Sequence, residues 1–296
     1  MTTSTEKLFD PILVQDLINK VKGRSSLAVL SGQKPVAFNG QKEFTFTLDK
    51  DIDIVAENGK KSEGGLSLAP VTIVPIKVEY GARISDEFNY ASKEEKLDIL
   101  KAFNEGYAKK LARGLDLMVF HGINPRTKTA STIIGGNSLD EKVTQTVDFV
   151  KDDPDKNVED AVALIQGNDG DISGMVIDSQ FSSALAKMRD GSNNRLFPTL
   201  AWGANPGSIN GLKTDVNNTV GSGSKDLAVL GDFANMFQWG FSKQIPMEII
   251  PYGDPDNSGE DLKGHNQLYL RSETYLGWGI MDPNSFARVI TPTVEG

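Results

Sequence analysis

Hydrophobic positions are most regular between residues 92 and 124. There Leu97, Leu100, Phe103, Tyr107, Leu111, Leu115 and Met118 recur every three or four residues, the spacing of one stripe on an amphipathic helix. Ser92 with Glu95 three residues on makes a capping box, and Gly122 and Pro125 mark the stop. Gly106 and Gly114 interrupt the interior. Each costs about 1 kcal/mol relative to alanine in a helix, so the close approach of another backbone is the expected gain.

The period differs on either side of this helix. Asp10-Pro11, then Leu13, Leu17, Ile18 and Val21, ending at Gly23, predict a short capped helix in an arm-like stretch. From Phe38 to Tyr80 the alternation is two-fold: Phe44, Phe46 and Leu48, then Val71 with Ile73, then Ile76, Val78 and Tyr80. This predicts a long hairpin carrying Pro70 and Pro75, which suit exposed edges. A two-stranded ribbon is marginal alone in water, so a partner surface is implied. After the long helix, a helix at 158–166, a buried strand Met175-Val176-Ile177 and a helix at 179–189 predict a mixed sheet with helices packed on it, an α+β arrangement. Residues 151–155 read as a solvated connection and 190–224 as long loops. Short strands are expected at 227–230, 237–241 and 247–250, and a longer one at 268–280.

At 296 residues, one or two closely connected domains with a sizeable core fit the length. No apolar run approaches the roughly 18 residues of a membrane span, and the first ten residues lack a signal-peptide pattern, so a cytoplasmic protein without membrane contact is expected. The absence of cysteine excludes disulfides, iron-sulfur clusters and thiolate zinc sites. A net charge of -9 argues against a surface that grips nucleic acid.

Candidate chemistry is sparse. Asp169, Asp171, Ser173 and Gly174, and likewise Asp254, Asp256, Ser258 and Gly259, have the opening spacing of a calcium loop, but Gln180 and His265 stand where the closing Glu belongs. His121 and His265 have no motif around them and read as structural. Glu94-Glu95 and Asp152-Asp153 lie on exposed segments and would not converge on one substrate atom. Gly221 to Lys225 lacks P-loop spacing, and Gly277-Trp278-Gly279 lies within a strand pattern. No catalytic, cofactor-binding or metal-ligating residue is expected, and the chain reads as non-enzymatic.

Several short motifs follow in order: Ile84-Ser85-Asp86-Glu87, then Leu111-Ala112-Arg113-Gly114-Leu115-Asp116 with His121-Gly122, then Met175-Val176-Ile177-Asp178, Leu185 to Asp190 with Gly191, Gly211-Leu212 and Leu230-Gly231-Asp232-Phe233. The stretch from Arg271 to Gly279 then leads to Met281-Asp282-Pro283-Asn284-Ser285-Phe286. In this order the chain resembles tailed-phage major capsid proteins with the Hong Kong 97-type fold. The resemblance implies an N-arm at 1–35, an extended β-hairpin E-loop at 36–84, a P-domain at 85–156 and 262–296 built on a long spine helix, and a mixed-sheet A-domain at 157–261. It implies a major capsid protein that self-assembles as pentamers and hexamers into the icosahedral head of a double-stranded DNA phage. Portal protein, and packaged DNA held without sequence-specific binding, are implied partners. The subunit would be found in the virion capsid and assembled in the bacterial host cytoplasm.

Inter-subunit contacts are expected at Leu13 and Leu17 of the arm, Asn58, Lys60 and Lys61 at the hairpin tip, and Gly106 and Gly114 on the spine. The arm starts within about ten residues of Met1, so a separate scaffold protein is expected rather than a cleaved leader. No asparagine is placed by motif opposite Lys60 or Lys61, so covalent cross-linking is not expected. The rivals are an encapsulin nanocompartment of the same fold, which would bind a cargo enzyme's terminal peptide, and a carboxylate-dependent hydrolase acting through Asp190 or Asp232.

Overall fold

The long helix, α2 (Lys93–His121; α1 is Ser26–Leu30), forms as its caps dictate. The Ser92 hydroxyl accepts from the Glu95 amide at 3.2 Å, and the Glu95 carboxylate accepts from the Ser92 amide at 2.9 Å, satisfying two donors otherwise left open at the helix start. Gly122 ends it in the left-handed region at φ 65°. The structure is a computed structural model and describes residues 25–48 and 50–292. The expected arm helix, with Leu13 and Leu17, lies outside the described residues. Along α2 the expected stripe changes character. Leu100, Tyr107, Leu111, Leu115 and Met118 are buried, whereas Leu97 is 45% exposed. From Leu111 to Phe120 only Arg113 is exposed, so the second half is nearly enclosed.

The hairpin is real but shorter than the alternation predicts. Strands β1 (Gln41–Leu48) and β2 (Leu66–Ile73) pair antiparallel from Gln41↔Ile73 to Leu48↔Leu66. The next strand, β3 (Ile76–Ser85), leaves the ribbon and pairs with β10 (Gln267–Ile280), Ile76 opposite Leu276 and Ser85 opposite Gln267. Two features enforce the break. Pro75 has no amide to continue a ladder, and the fully buried Ile73 seats between Gly277 and Gly279, where added Cβ atoms would lie 3.0 and 2.8 Å from its side chain. The Gly-Trp-Gly run is therefore a socket that pins the base of the ribbon. Strand β9 (Phe237–Ile250) completes a three-stranded sheet in the order β3-β10-β9. It is one bulged strand, not the two short ones expected.

The second sheet has six strands in the order β4-β11-β8-β5-β7-β6. These are β4 (Thr146–Asp148), β5 (Gly174–Ile177), β6 (Ser208–Ile209), β7 (Leu212–Val216), β8 (Asp226–Gly231) and β11 (Phe286–Ile290). Helices α3 (Leu139–Lys142), α4 (Pro154–Gln166) and α5 (Ser179–Lys187) accompany it. Pro154 starts α4, so the connection expected at 151–155 is partly helix. Strands β6 and β7 lie within the stretch expected to be all loop, and β7 runs parallel to β5.

Strands β5 and β8 are buried throughout and divide two cores. Val176, Val229 and Phe286 face a core shared with Leu111, Leu115 and Met118 of α2, and with Trp239 and Trp278. Met175, Ile177, Ala228 and Leu230 face a second core under α4 and α5. Among the described residues no helix is long and apolar enough to cross a membrane.

Candidate functional site

Where α2 meets the six-stranded sheet, the core turns polar. Asp116 is fully buried and accepts hydrogen bonds from Ser25 Oγ at 2.5 Å, the Ser26 amide at 3.1 Å, Asn217 Nδ2 at 3.0 Å and Thr219 Oγ1 at 3.1 Å. One carboxylate thus ties α1, α2 and the 217–219 loop together. Burial pushes its pKa up to about 6 despite the donors from Ser25, Ser26, Leu27 and Thr219.

One turn of helix further, His121 Nε2 lies 2.8 Å from the Thr219 carbonyl and Nδ1 lies 2.8 Å from Asp140 Oδ2. The carbonyl can only accept, so Nε2 carries a proton. Burial disfavours an ionised Asp140, but its hydrogen bonds to His121 and Asp226, then the charges of His121 and of Arg288 2.9 Å away, hold it below the usual carboxylate range, so Nδ1 donates to it and the ring is an imidazolium. Burial works against the charged ring, but the Asp140 bond and charge, Thr219 and Asp226 outweigh it and hold the pKa above 6.5. Asp226 completes the cluster, 3.3 Å from Arg288. Burial, then hydrogen bonding to Asp140 and its charge, push its pKa up to about 8. His121, Asp140 and Asp226 could together face a metal ion, but Arg288 already supplies positive charge to both carboxylates. The arrangement is a proton-holding lock between α2, α3, β8 and β11.

The loop at 254–260 shows what its calcium-like spacing serves. Arg83 of β3 places Nη2 2.8 Å from Asp254 Oδ1, 2.6 Å from Asp256 Oδ1 and 2.8 Å from the Glu260 carbonyl, and it also bonds Ser258 Oγ. A guanidinium from a distant strand takes the position of the cation.

The expected contact residues are scattered. Asn58, Lys60 and Lys61 are exposed at the ribbon tip, beyond a closure between Lys50 Nζ and the Glu63 carbonyl at 3.2 Å. Gly114 is buried, with the Pro125 ring 3.4 Å from where a Cβ would sit; Gly106 is exposed with nothing within 4 Å. Among the described residues nothing makes the close approach expected at Gly106, and at Gly114 it comes from a proline ring, not a sheet strand. Sequence reasoning missed the exposed apolar positions Ile52 (97% exposed) and Ile54 (98%) at the tip, and Trp202 (96%) at φ 63° with Arg195 over its ring. In Asp51-Ile52-Asp53-Ile54 a two-fold alternation was the available signal. Asp190 and Asp232, the hydrolase candidates, both bond turns: Asp190 accepts from the Ser192 and Asn194 amides, and Asp232 from the Asn235 amide.

A long helix crossing a three-stranded sheet, a projecting ribbon and a separate mixed sheet define a Hong Kong 97-type shell fold. Residues 8–289 match the family described as the phage capsid family. A chain from Mycobacterium phage Ogopogo is 32% identical at a TM-score of 0.78, covering 91% of this chain and 92% of that one. A chain from Gordonia phage Cozz is 24% identical at 0.75, covering 91% and 87%. The capsid of an empty GTA particle, 14% identical at 0.64 and covering 91% and 90%, shares the fold. No curated protein matches the chain. The chain belongs to the phage capsid family. It is a major capsid protein, a structural component of the virion shell whose copies assemble into the capsid lattice.

Proposed function

We propose that this chain builds the icosahedral head of a tailed double-stranded DNA phage from pentamers and hexamers, in the bacterial host cytoplasm and without catalysis. Scaffold and portal proteins would be its partners, and packaged DNA its contents. The ribbon acts as the E-loop, ending at Ile73 rather than at residue 84. Helix α2 with the three-stranded sheet acts as the P-domain and the six-stranded sheet forms most of the A-domain, which takes β9 out of the A-domain expected at 157–261 and β4 and β11 out of the expected P-domain. Asn58, Lys60 and Lys61 at the tip, and Gly106 on the open face of α2, are proposed contacts with neighbouring subunits.

The observation that carries this reading is the ribbon itself. A pair of strands with Phe44, Ile52 and Ile54 exposed is marginal in isolation, and neighbouring copies supply the missing surface. Electron microscopy of the purified protein at high concentration is expected to show pentamers, hexamers or shells. A stable monomer throughout would refute the proposal, and shells that copurify with an enclosed enzyme would favour the nanocompartment instead.

A further inference from the structure

The exposed charges of α2 are unevenly placed. In its first half Lys93 and Lys101 are interleaved with Glu94, Glu95, Asp98 and Glu105, whereas the exposed charges of the second half, Lys109, Lys110 and Arg113, are all positive. Because Gly114 has no Cβ, the Pro125 ring packs against the helix one residue beyond Arg113. Asn124 shapes the loop that carries Pro125: its carbonyl accepts from the Lys128 amide at 2.9 Å and its amide donates to the Thr129 carbonyl at 2.8 Å. Lys128 takes a left-handed φ of 61°, which costs a side-chain-bearing residue roughly 1 kcal/mol or more. Lys128 lies within electrostatic reach of Arg113 and Lys110 on the helix that Pro125 packs against. Its pKa is lowered by desolvation first, then by the charges of Arg113 and Lys110. Among the described residues none of these three makes an ion pair; Arg113 only approaches Ser222 Oγ at 3.5 Å.

The fold therefore gathers three cations at a cost in strain and repulsion, with no ion-paired counter-charge among the described residues. We infer that Lys110, Arg113 and Lys128 form a phosphate-binding patch that contacts the backbone of packaged duplex DNA, an inference that rests on the DNA-filled head proposed above. Between residues 109 and 128 no large apolar side chain is exposed. A protein partner would want such an anchor, whereas a polyelectrolyte needs only the charges. In a chain of net charge -9, a small isolated patch suits weak, sequence-independent contact.

The test uses the full-length protein below its assembly concentration and a labelled mixed-sequence duplex of about 30 base pairs, over about 50 to 200 mM salt. Three phosphate contacts predict a slope of log affinity on log salt near -2.7, or about a 40-fold loss across that range. The variant K110Q/R113Q/K128Q should bind at least about 10-fold more weakly at the low salt with a slope near zero. The conservative K110R/K128R variant, and a control replacing the exposed Lys151, Lys187 and Lys263 by Gln, should both stay close to wild type. Equal binding by patch and control variants overturns the inference. So does binding of a polyglutamate peptide without binding of the duplex, which would point to an acidic protein segment. Shells seen by microscopy alongside patch-independent DNA binding sink the patch and leave the proposed head standing. Absence of any shell or capsomer sinks the head itself.

Discussion

Two glycine-to-alanine changes should move stability in opposite directions. Residues 33–36 lie parallel along the edge of β9, with the Lys34 amide donating to the Trp239 carbonyl at 2.9 Å and the Val36 amide to the Phe241 carbonyl at 3.3 Å. A Cβ at Gly240 would sit 1.7 Å from the Lys34 carbonyl oxygen, so in Gly240→Ala this segment must lift by more than an ångström. Losing two backbone hydrogen bonds costs about 1 kcal/mol each, and partly exposing the buried Val36 costs about another 1 kcal/mol. The sum, about 3 kcal/mol, corresponds to a melting temperature lower by roughly 6 °C in a chain of this length. Gly106→Ala meets open space and gains helix propensity, raising stability by about 1 kcal/mol, or roughly 2 °C. Circular-dichroism melts of unassembled protein, with hydrogen exchange at the Lys34 and Val36 amides, measure both. A Gly240→Ala melt within about 1 °C of wild type would refute the packing argument. If Gly106→Ala stabilises the subunit yet blocks assembly, the open face of α2 is covered by a neighbour in the shell.

Stability should fall as pH rises from 6 to 9. His121 has a folded pKa above its unfolded one, so its contribution is complete below about 6.5 and lost as pH rises through the folded value. Asp226, raised to about 8, loses stability over the same rise because the folded state resists its ionisation. Asp226→Asn should flatten the decline in melting temperature, and a flat wild-type profile would contradict the imidazolium assignment. Asp116→Ala strands donors from Ser25, Ser26, Asn217 and Thr219 and should lower the unfolding free energy in urea by at least about 4 kcal/mol; a loss below about 1 kcal/mol would mean water replaces the carboxylate. Arg83→Gln should speed hydrogen exchange across residues 253–262 by about tenfold or more, and unchanged exchange would show that the loop holds without its cation.

The local features were legible because short-range chemistry sets them. The Ser92–Glu95 cap, the Gly122 stop and the buried Met175-Val176-Ile177 strand all stand where the pattern put them. What failed was pairing. Alternation shows that residues 76–85 form a strand, but not that its partner is β10, nearly 200 residues away; Pro75 was the one local cue. Strand β7 was hidden because its Lys213, Thr214 and Asp215 read like the loops beside it. The calcium-like spacing at Asp254 lacks its closing Glu and belongs to a turn, and no local pattern could show that the turn wraps the guanidinium of Arg83. Asp116 was visible as a lone acid in the apolar run Leu115-Asp116-Leu117-Met118-Val119-Phe120. Only the fold shows that α1 and the 217–219 loop converge on it.

The two ends of the molecule differ in how completely the chain satisfies itself. At the C-terminal half of α2, Asp116, His121, Asp140, Asp226 and Arg288 find partners within the chain and the apolar residues are enclosed. Toward its N-terminal half and along the ribbon, Leu97, Ile99, Phe44, Ile52 and Ile54 remain open. Buried polar locks tolerate little movement, because a broken pair leaves a desolvated charge unpaired. Exposed apolar strands, by contrast, gain most from a surface supplied by another copy. The chain is thus closed around its locked end, and the ribbon and the open half of α2 are where it has most to gain from another copy in the capsid lattice.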